Sequence, residues 1–334
     1  MNDRAVSLLE QYEIEVFHTK KGRGAIICDT DKGCLIYKEY TGNENRIAFQ
    51  DQLLTHIREQ GKVAVESIIP TREGALFVKD NDGSKYILKT YYEGRECNIY
   101  DKEECMEVVK LLARLHHCMD AVENIGEGVP VASVTREYEK HNRELKRVRK
   151  YLQQRSQKTW FEIQLLHTFD FFLEQALAVA EDWNYYQNTV FSENTGGVGR
   201  QGFCHGDYQY HNILKAQKDW FLINFEKCVP DDPIRDLYLL MRKLLEKSNW
   251  SIALGKDLLA AYEQERTISA QSRTDLYYRL SYPEKFWKIV NFYYNSGKAW
   301  IPERNQEKLV KLVAQEQEKQ HFLDEIFRNV ASQI

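Results

Sequence analysis

Phe203-Cys204-His205-Gly206-Asp207-Tyr208-Gln209-Tyr210-His211-Asn212-Ile213-Leu214 is followed, after a short polar interval, by Phe221-Leu222-Ile223-Asn224-Phe225-Glu226. The first run fits His-x-Asp-x-x-x-x-Asn, a spacing that suits phosphoryl transfer. A carboxylate, Asp207, orients or deprotonates an attacking hydroxyl, and further along an amide oxygen, Asn212, helps hold a magnesium ion that bridges phosphates. The second run reads as an apolar strand with an oxygen-bearing residue just past its end, the context expected for a second metal ligand. An isolated Asp-x-x-x-x-Asn recurs by chance, and in a tight loop both residues can simply satisfy backbone groups. The leading His-Gly, the trailing Ile-Leu and the paired strand give residues 203–226 their chemical meaning.

Upstream of this segment the chain changes character. The first ninety or so residues read as strands and turns: Ala25–Cys28 and Cys34–Tyr40 form a hairpin across Asp29–Gly33, and Asn81-Asp82-Gly83 marks a tight turn before Lys85–Tyr92. One helix interrupts them, Asn43–Gln60, with Ile47, Leu53, Leu54 and Ile57 at helical spacing and Gly61 as a stop. Beyond Glu93-Gly94-Arg95 the pattern is almost wholly helical: a face built on Val108, Leu111, Leu112 and Leu115, a charged helix over Thr135–Lys158, and an apolar one over Trp160–Trp183. The stretch Asn188–Gly202 breaks the helices, and Asp232-Pro233 opens another with a cap and a proline at its first position. The order predicts an α+β chain with a small sheet-plus-one-helix lobe over residues 1–92 and a larger helical lobe over 93–334.

Composition narrows the function. The chain has 334 residues and 46 basic against 50 acidic side chains, a net charge of −4, which argues against nucleic acid or an anionic membrane as its partner. No run of apolar residues is long enough to predict a membrane-spanning helix. Met1-Asn2-Asp3-Arg4 lacks the basic flank and apolar stretch of a secretory signal. Seven cysteines, an odd number with no Cys-x-x-Cys, predict free thiols in a reducing compartment, and nine histidines without a His-x-x-x-His pair predict no histidine metal site.

The catalytic-loop segment resembles that of the aminoglycoside/choline phosphotransferase branch of the protein-kinase-like superfamily. Within that branch the chain resembles the CotS-type spore coat proteins, through His205–Leu214, Pro233-Ile234-Arg235-Asp236-Leu237 and Tyr92-Glu93-Gly94-Arg95 before a helix. The resemblance implies a two-lobe kinase-like fold over nearly the whole chain. It implies Asp207 as catalytic base, Asn212 as a magnesium ligand and His205 as a brace of the loop. It implies Lys38 on the third strand as the partner of nucleotide phosphates, Lys89, Thr90, Tyr91 and Tyr92 as the connector facing the adenine, and Asp236 as the carboxylate that holds the loop backbone. An active member would use ATP and Mg2+. The resemblance also implies synthesis in the mother-cell cytoplasm, deposition in the spore coat, other coat proteins as partners and a small-molecule ligand.

Three departures weaken the expectation of turnover. Active members carry Asp where this chain has Asn224, and magnesium favours charged, hard oxygen donors. Glu226 lies two residues on, and in an extended segment it would face the same side and supply the missing carboxylate. The phosphate-covering turn, Lys20-Lys21-Gly22-Arg23-Gly24, has only two glycines, and a plain hairpin turn explains it better. No helix glutamate is evident to pair with Lys38, the candidate positions being Ala48, Phe49, Gln50 and Asp51. The sequence therefore predicts a spore-coat-associated kinase-like protein with weakened or lost phosphotransferase activity. The alternative is an active small-molecule kinase moving the γ-phosphoryl of ATP to a hydroxyl acceptor.

Two further features stand out. Nine cations and three glutamates fall between Arg136 and Lys158, a basic face that is either solvated helix surface or a dock for an acidic partner. The paired tyrosines Tyr185-Tyr186, Tyr277-Tyr278 and Tyr293-Tyr294 suit either helix packing or contacts with other proteins.

Overall fold

The computed structural model describes residues 7–22, 24–120, 129–191, 202–296 and 303–331. Arg23 of the glycine-poor turn and residues 192–201 of the helix-breaking stretch lie outside the described residues. The chain forms two compact units: Met1–Val131 with Gln201–Leu237 and Ala261–Arg266, and Ala132–Arg200 with Tyr238–Ala260 and Thr267–Ile334.

In the first unit β1 (Val16–Gly22), β2 (Ala25–Thr30) and β3 (Gly33–Tyr40) precede α1 (Glu44–Gln60). After it come the short strands β4 (Ala64–Val65), β5 (Ile68–Ile69) and β6 (Val78–Lys79), then β7 (Lys85–Thr90) and β8 (Arg95–Glu96). An antiparallel sheet runs β1-β2-β3-β7-β5, with β6 also on β7. The hairpin between β2 and β3 is tighter than the sequence predicts. Only Asp31 and Lys32 connect them, because the Thr30 hydroxyl donates to Gly33 O at 2.7 Å and accepts from Lys32 N at 3.2 Å. Asn43 caps α1 by accepting from Arg46 N at 2.9 Å, and Gly61, at φ +66°, ends it in the left-handed conformation that glycine adopts without cost.

Strand alternation sorts the side chains of β3 and β7. Leu35, Tyr37 and Leu88 enter a small core with Tyr12, Cys28 and Tyr86. Full burial of a leucine there contributes roughly 1.5–3 kcal/mol. Lys38 and Lys89 project from the opposite face of the same strands, the register pairing Ile36 with Lys89 and Lys38 with Ile87.

α2 (Lys102–Asp120) follows in the first unit, as do β9 (Phe203–Cys204), β10 (Ile213–Ala216) and β11 (Asp219–Leu222). β8 pairs with β10, and β4 pairs parallel with β11, so strands from the first hundred residues and from the catalytic-loop segment make one sheet. This is why the compact unit crosses the sequence boundary at residue 92: the loop-bearing hairpin packs by backbone hydrogen bonds onto chain far upstream.

The second unit is helical. It contains α3 (Val134–Gln154), α4 (Trp160–Tyr186), α6 (Ile252–Glu263) up to Ala260, α7 (Ala270–Ser281), α8 (Glu284–Asn295), α9 (Glu303–Ala314) and α10 (Glu316–Ile326), while α5 (Ile234–Lys247) runs through both units. A capping box at Thr159, with Glu162 reaching back, starts α4 and separates it from the charged helix before it. Phe161, Leu165, Phe169, Phe172, Leu145, Leu152 and Phe286 fill the core. On α3, Tyr138, Leu145, Val148 and Leu152 are buried, while Arg136, Lys140, Arg143, Arg147 and Lys150 are exposed. The tyrosine pairs divide: Tyr186 and Tyr278 enter the core, whereas Tyr185 and Tyr294 are exposed.

Candidate active site

The loop from β9 to β10 is fixed from below. Asp236, fully buried near the start of α5, accepts from His205 N at 2.6 Å and from Gly206 N at 2.9 Å, and His116 Nε2 lies 3.4 Å from the same carboxylate. His205 accepts from Asp207 N through Nδ1 at 3.2 Å, which leaves Nε2 to donate to Ile223 O at 3.0 Å. The imidazole therefore ties the loop to the end of β11. Gly206, at φ +78°, touches the backbone of Lys227: a Cβ there would lie 2.0 Å from Lys227 O. The pattern His-Gly-Asp thus contains a glycine that the fold requires.

Asp207 and Asn212 come together, with Asn224 beside them. Asn212 Nδ2 donates to Asp207 O at 2.8 Å, and Asn224 Nδ2 donates to Asn212 Oδ1 at 2.8 Å. Asn224 itself is left-handed, at φ +66°, a conformation asparagine tolerates better than most side chains. Both oxygens of Asp207 are engaged: Oδ1 accepts from Gln209 Nε2 at 2.7 Å, and Oδ2 from Lys227 Nζ at 2.9 Å. Burial pushes the Asp207 carboxyl up, but the Lys227 ammonium, with the neighbouring His205 and His211, outweighs it and holds the group below its ordinary value.

Glu226 is engaged by two lysines through one carboxylate oxygen. Its Oε1 accepts from Lys38 Nζ at 2.9 Å and from Lys89 Nζ at 2.7 Å. Lys89 also donates to Glu66 Oε2 at 2.7 Å, and Glu66 Oε1 accepts from Phe225 N at 2.9 Å. Burial disfavours the Glu226 anion, yet the two ammoniums beside it hold its carboxyl well below the usual range. The extended geometry assumed for Asn224 to Glu226 fails because the chain turns into a short 3-10 segment at Phe225–Lys227, which redirects the carboxylate to the lysines. The partner of Lys38 is therefore Glu226, not a residue of α1. That helix contributes Arg46, whose guanidinium donates to Glu226 O at 3.0 Å and Cys228 O at 2.9 Å, and its Gln50 is buried with neither amide atom hydrogen-bonded.

Lys89 and Thr90, read from the sequence as connector, are the last residues of β7. Lys89 is 1% exposed and turned onto two carboxylates, so it cannot face an adenine. Thr90 Oγ1 accepts from Ser67 N at 2.9 Å, and Tyr91 N donates to Cys34 O at 2.9 Å. Tyr92 stacks on Phe221 with ring centroids 4.2 Å apart and donates to Val65 O. A cavity of about 480 Å³ opens over this arrangement, bordered by Lys38, Arg46, Asp207, His211, Asn212, Asn224, Glu226 and Lys227 together with residues 39–42. Thr90, Tyr91 and Tyr92 do not border it. Glu66, Arg46, Gln209 and Lys227 were not singled out from the sequence. Only the place of Gln209 inside the motif and of Lys227 next to Glu226 could have drawn attention to them.

The residues present offer cations to a phosphate chain and leave few uncommitted oxygens for a magnesium ion. Three cations border the cavity with three carboxylates; Asp207 and Glu226 are each paired with lysine, and the two asparagines bond to each other.

Comparisons with known proteins agree with this architecture. Spore coat protein S of Bacillus subtilis (strain 168) is 24% identical over 331 residues, which cover 96% of this chain and 92% of that protein. The aminoglycoside phosphotransferase from Alicyclobacillus acidocaldarius subsp. acidocaldarius DSM 446 superposes with a TM-score of 0.79 at 20% identity, covering 98% of this chain and 96% of that one. An amicoumacin kinase solved in complex with AMP-PNP and Ca2+ superposes with a TM-score of 0.61 at 11% identity, covering 96% and 92%. These likenesses show the kinase-like α+β fold that the loop motif implies. A family model described as "Spore coat putative kinase YutH" matches residues 5–326, and the chain belongs to that spore coat family of kinase-like proteins.

Proposed function

We propose that this protein is a spore coat component in which a kinase-like fold serves binding or coat assembly, with phosphoryl transfer weakened or lost. The observation that carries the reading is the state of Asp207. A general base needs a carboxylate free to reach the acceptor hydroxyl, and here Lys227 and Gln209 occupy both of its oxygens. In this reading the chain is made in the mother cell, is deposited on the spore and contacts other coat proteins, with a small molecule rather than nucleic acid or membrane as its further ligand.

A second reading, transfer of the ATP γ-phosphoryl to a hydroxyl with Asp207 as base, is favoured by one feature: Asp207, Asn212 and Lys38 border one cavity. It requires Asp207 to leave Lys227. Release of γ-phosphate from ATP, with magnesium, across a panel of small hydroxyl compounds separates the two. Wild type is expected to remain near background, and Asn224→Asp to gain magnesium-dependent nucleotide stabilisation measured as a rise in Tm. Sustained turnover by wild type would overturn the first reading.

A further inference from the structure

Most of the oxygens around Asp207 that would ligate a cation already have internal donors. Asp207 has Gln209 and Lys227, Asn212 Oδ1 has Asn224, and Glu226 Oε1 has two lysines. A divalent ion drawing on these engaged oxygens would have to displace ammonium groups or break an amide pair while keeping near-octahedral geometry. The cavity border carries three cations, Lys38, Arg46 and Lys227, and three carboxylates, Glu39, Asp207 and Glu226, of which Asp207 and Glu226 are each held by a lysine. A carboxylate at position 224 would subtract one charge from that balance. The amide does not, and Lys227 adds one. Together these two positions move the local charge by two units, the charge of one magnesium ion.

We propose that this cavity binds the phosphate chain of a nucleotide, ATP or ADP, without a divalent cation, the Lys227 ammonium supplying the positive charge. The inference rests on the proposed function above and specifies its ligand. Lys227 is placed to do this: its side chain is 67% exposed, and an ammonium with three donors can meet a phosphate oxygen while keeping its bond to Asp207 Oδ2. Arg46 is fixed by two backbone carbonyls and contributes a stationary charge, while Lys38 borders the cavity from the strand face. Phosphate oxygens are well matched by such charge-assisted donors.

The test titrates the full chain with ATP, ADP and inorganic tripolyphosphate by calorimetry, in EDTA and in magnesium. Wild type is expected to bind ATP in EDTA within about threefold of its affinity in magnesium, whereas Lys227→Gln weakens ATP binding in EDTA by about tenfold or more. Because Lys227 is exposed, that variant is expected to fold as wild type does. An absolute requirement for magnesium in wild type, unchanged affinity in Lys227→Gln, or no binding of ATP and ADP in either condition would overturn the proposal. Binding of tripolyphosphate alone would overturn the nucleotide assignment. Transfer is judged separately, by γ-phosphate release, so the loss of activity and the metal-free binding fail on different measurements.

Discussion

The ammonium of Lys89 sits 2.7 Å from Glu66 Oε2, and both side chains are almost wholly buried. Lys89 simultaneously holds Glu226, and Glu66 simultaneously accepts from Phe225 N, so a strand, a short upstream segment and the 3-10 turn after β11 are joined by one charged cluster. Removing a single partner from a buried pair leaves an uncompensated charge. Lys89→Met should therefore destabilise the protein by about 3–5 kcal/mol. Urea denaturation of Lys89→Met beside Glu66→Leu/Lys89→Met measures this, with the double variant expected to lose less. Equal stability of wild type and Lys89→Met would show that the cluster contributes nothing.

Gly206 couples the loop to the same turn. Alanine there meets a positive φ, which costs about 1–3 kcal/mol, and its Cβ also collides with Lys227 O. Gly206→Ala is expected to lower Tm and to weaken any ligand binding at Asp207, because the loop must move away from the turn. A fully stable variant with unaltered binding would contradict the close approach.

Acid sensitivity should trace in part to Glu104. The Arg95 guanidinium, then Asn98 N and Lys215, hold its carboxyl down to about 2 from an ordinary value of 4.5, against the opposing effect of burial. A depressed folded pKa means the unfolded chain binds more protons in this window. The contribution is complete above about pH 4.5 and is lost as pH falls toward about 2. Denaturation midpoints at stepped pH should fall across that interval for wild type and less steeply for Glu104→Gln.

Thiol chemistry offers a check on burial. All seven cysteines are free, and only Cys34 is other than buried. Burial and the nearby Glu93 raise the Cys34 thiol above its ordinary value, so it should react slowly with Ellman's reagent at neutral pH. One slow thiol in the native protein and seven in denaturant are expected. Rapid modification of several in the native state would mean that the buried thiols are accessible.

The amino-acid order determined the kinase-like fold, the α1 limits and the loop that places Asp207 beside Asn212, because these rest on local spacing, capping and a short motif whose residues are close in the chain. The tertiary structure alone decided what those groups touch. Lys38 meets Glu226 across 188 positions and Lys89 meets Glu66 across 23. Pairings of that kind follow from strand register and from the turn at Phe225, which leave no periodic trace in sequence. That turn directed Glu226 Oε1 onto two lysines, and it brought Lys227 onto the carboxylate that the motif had marked as a base.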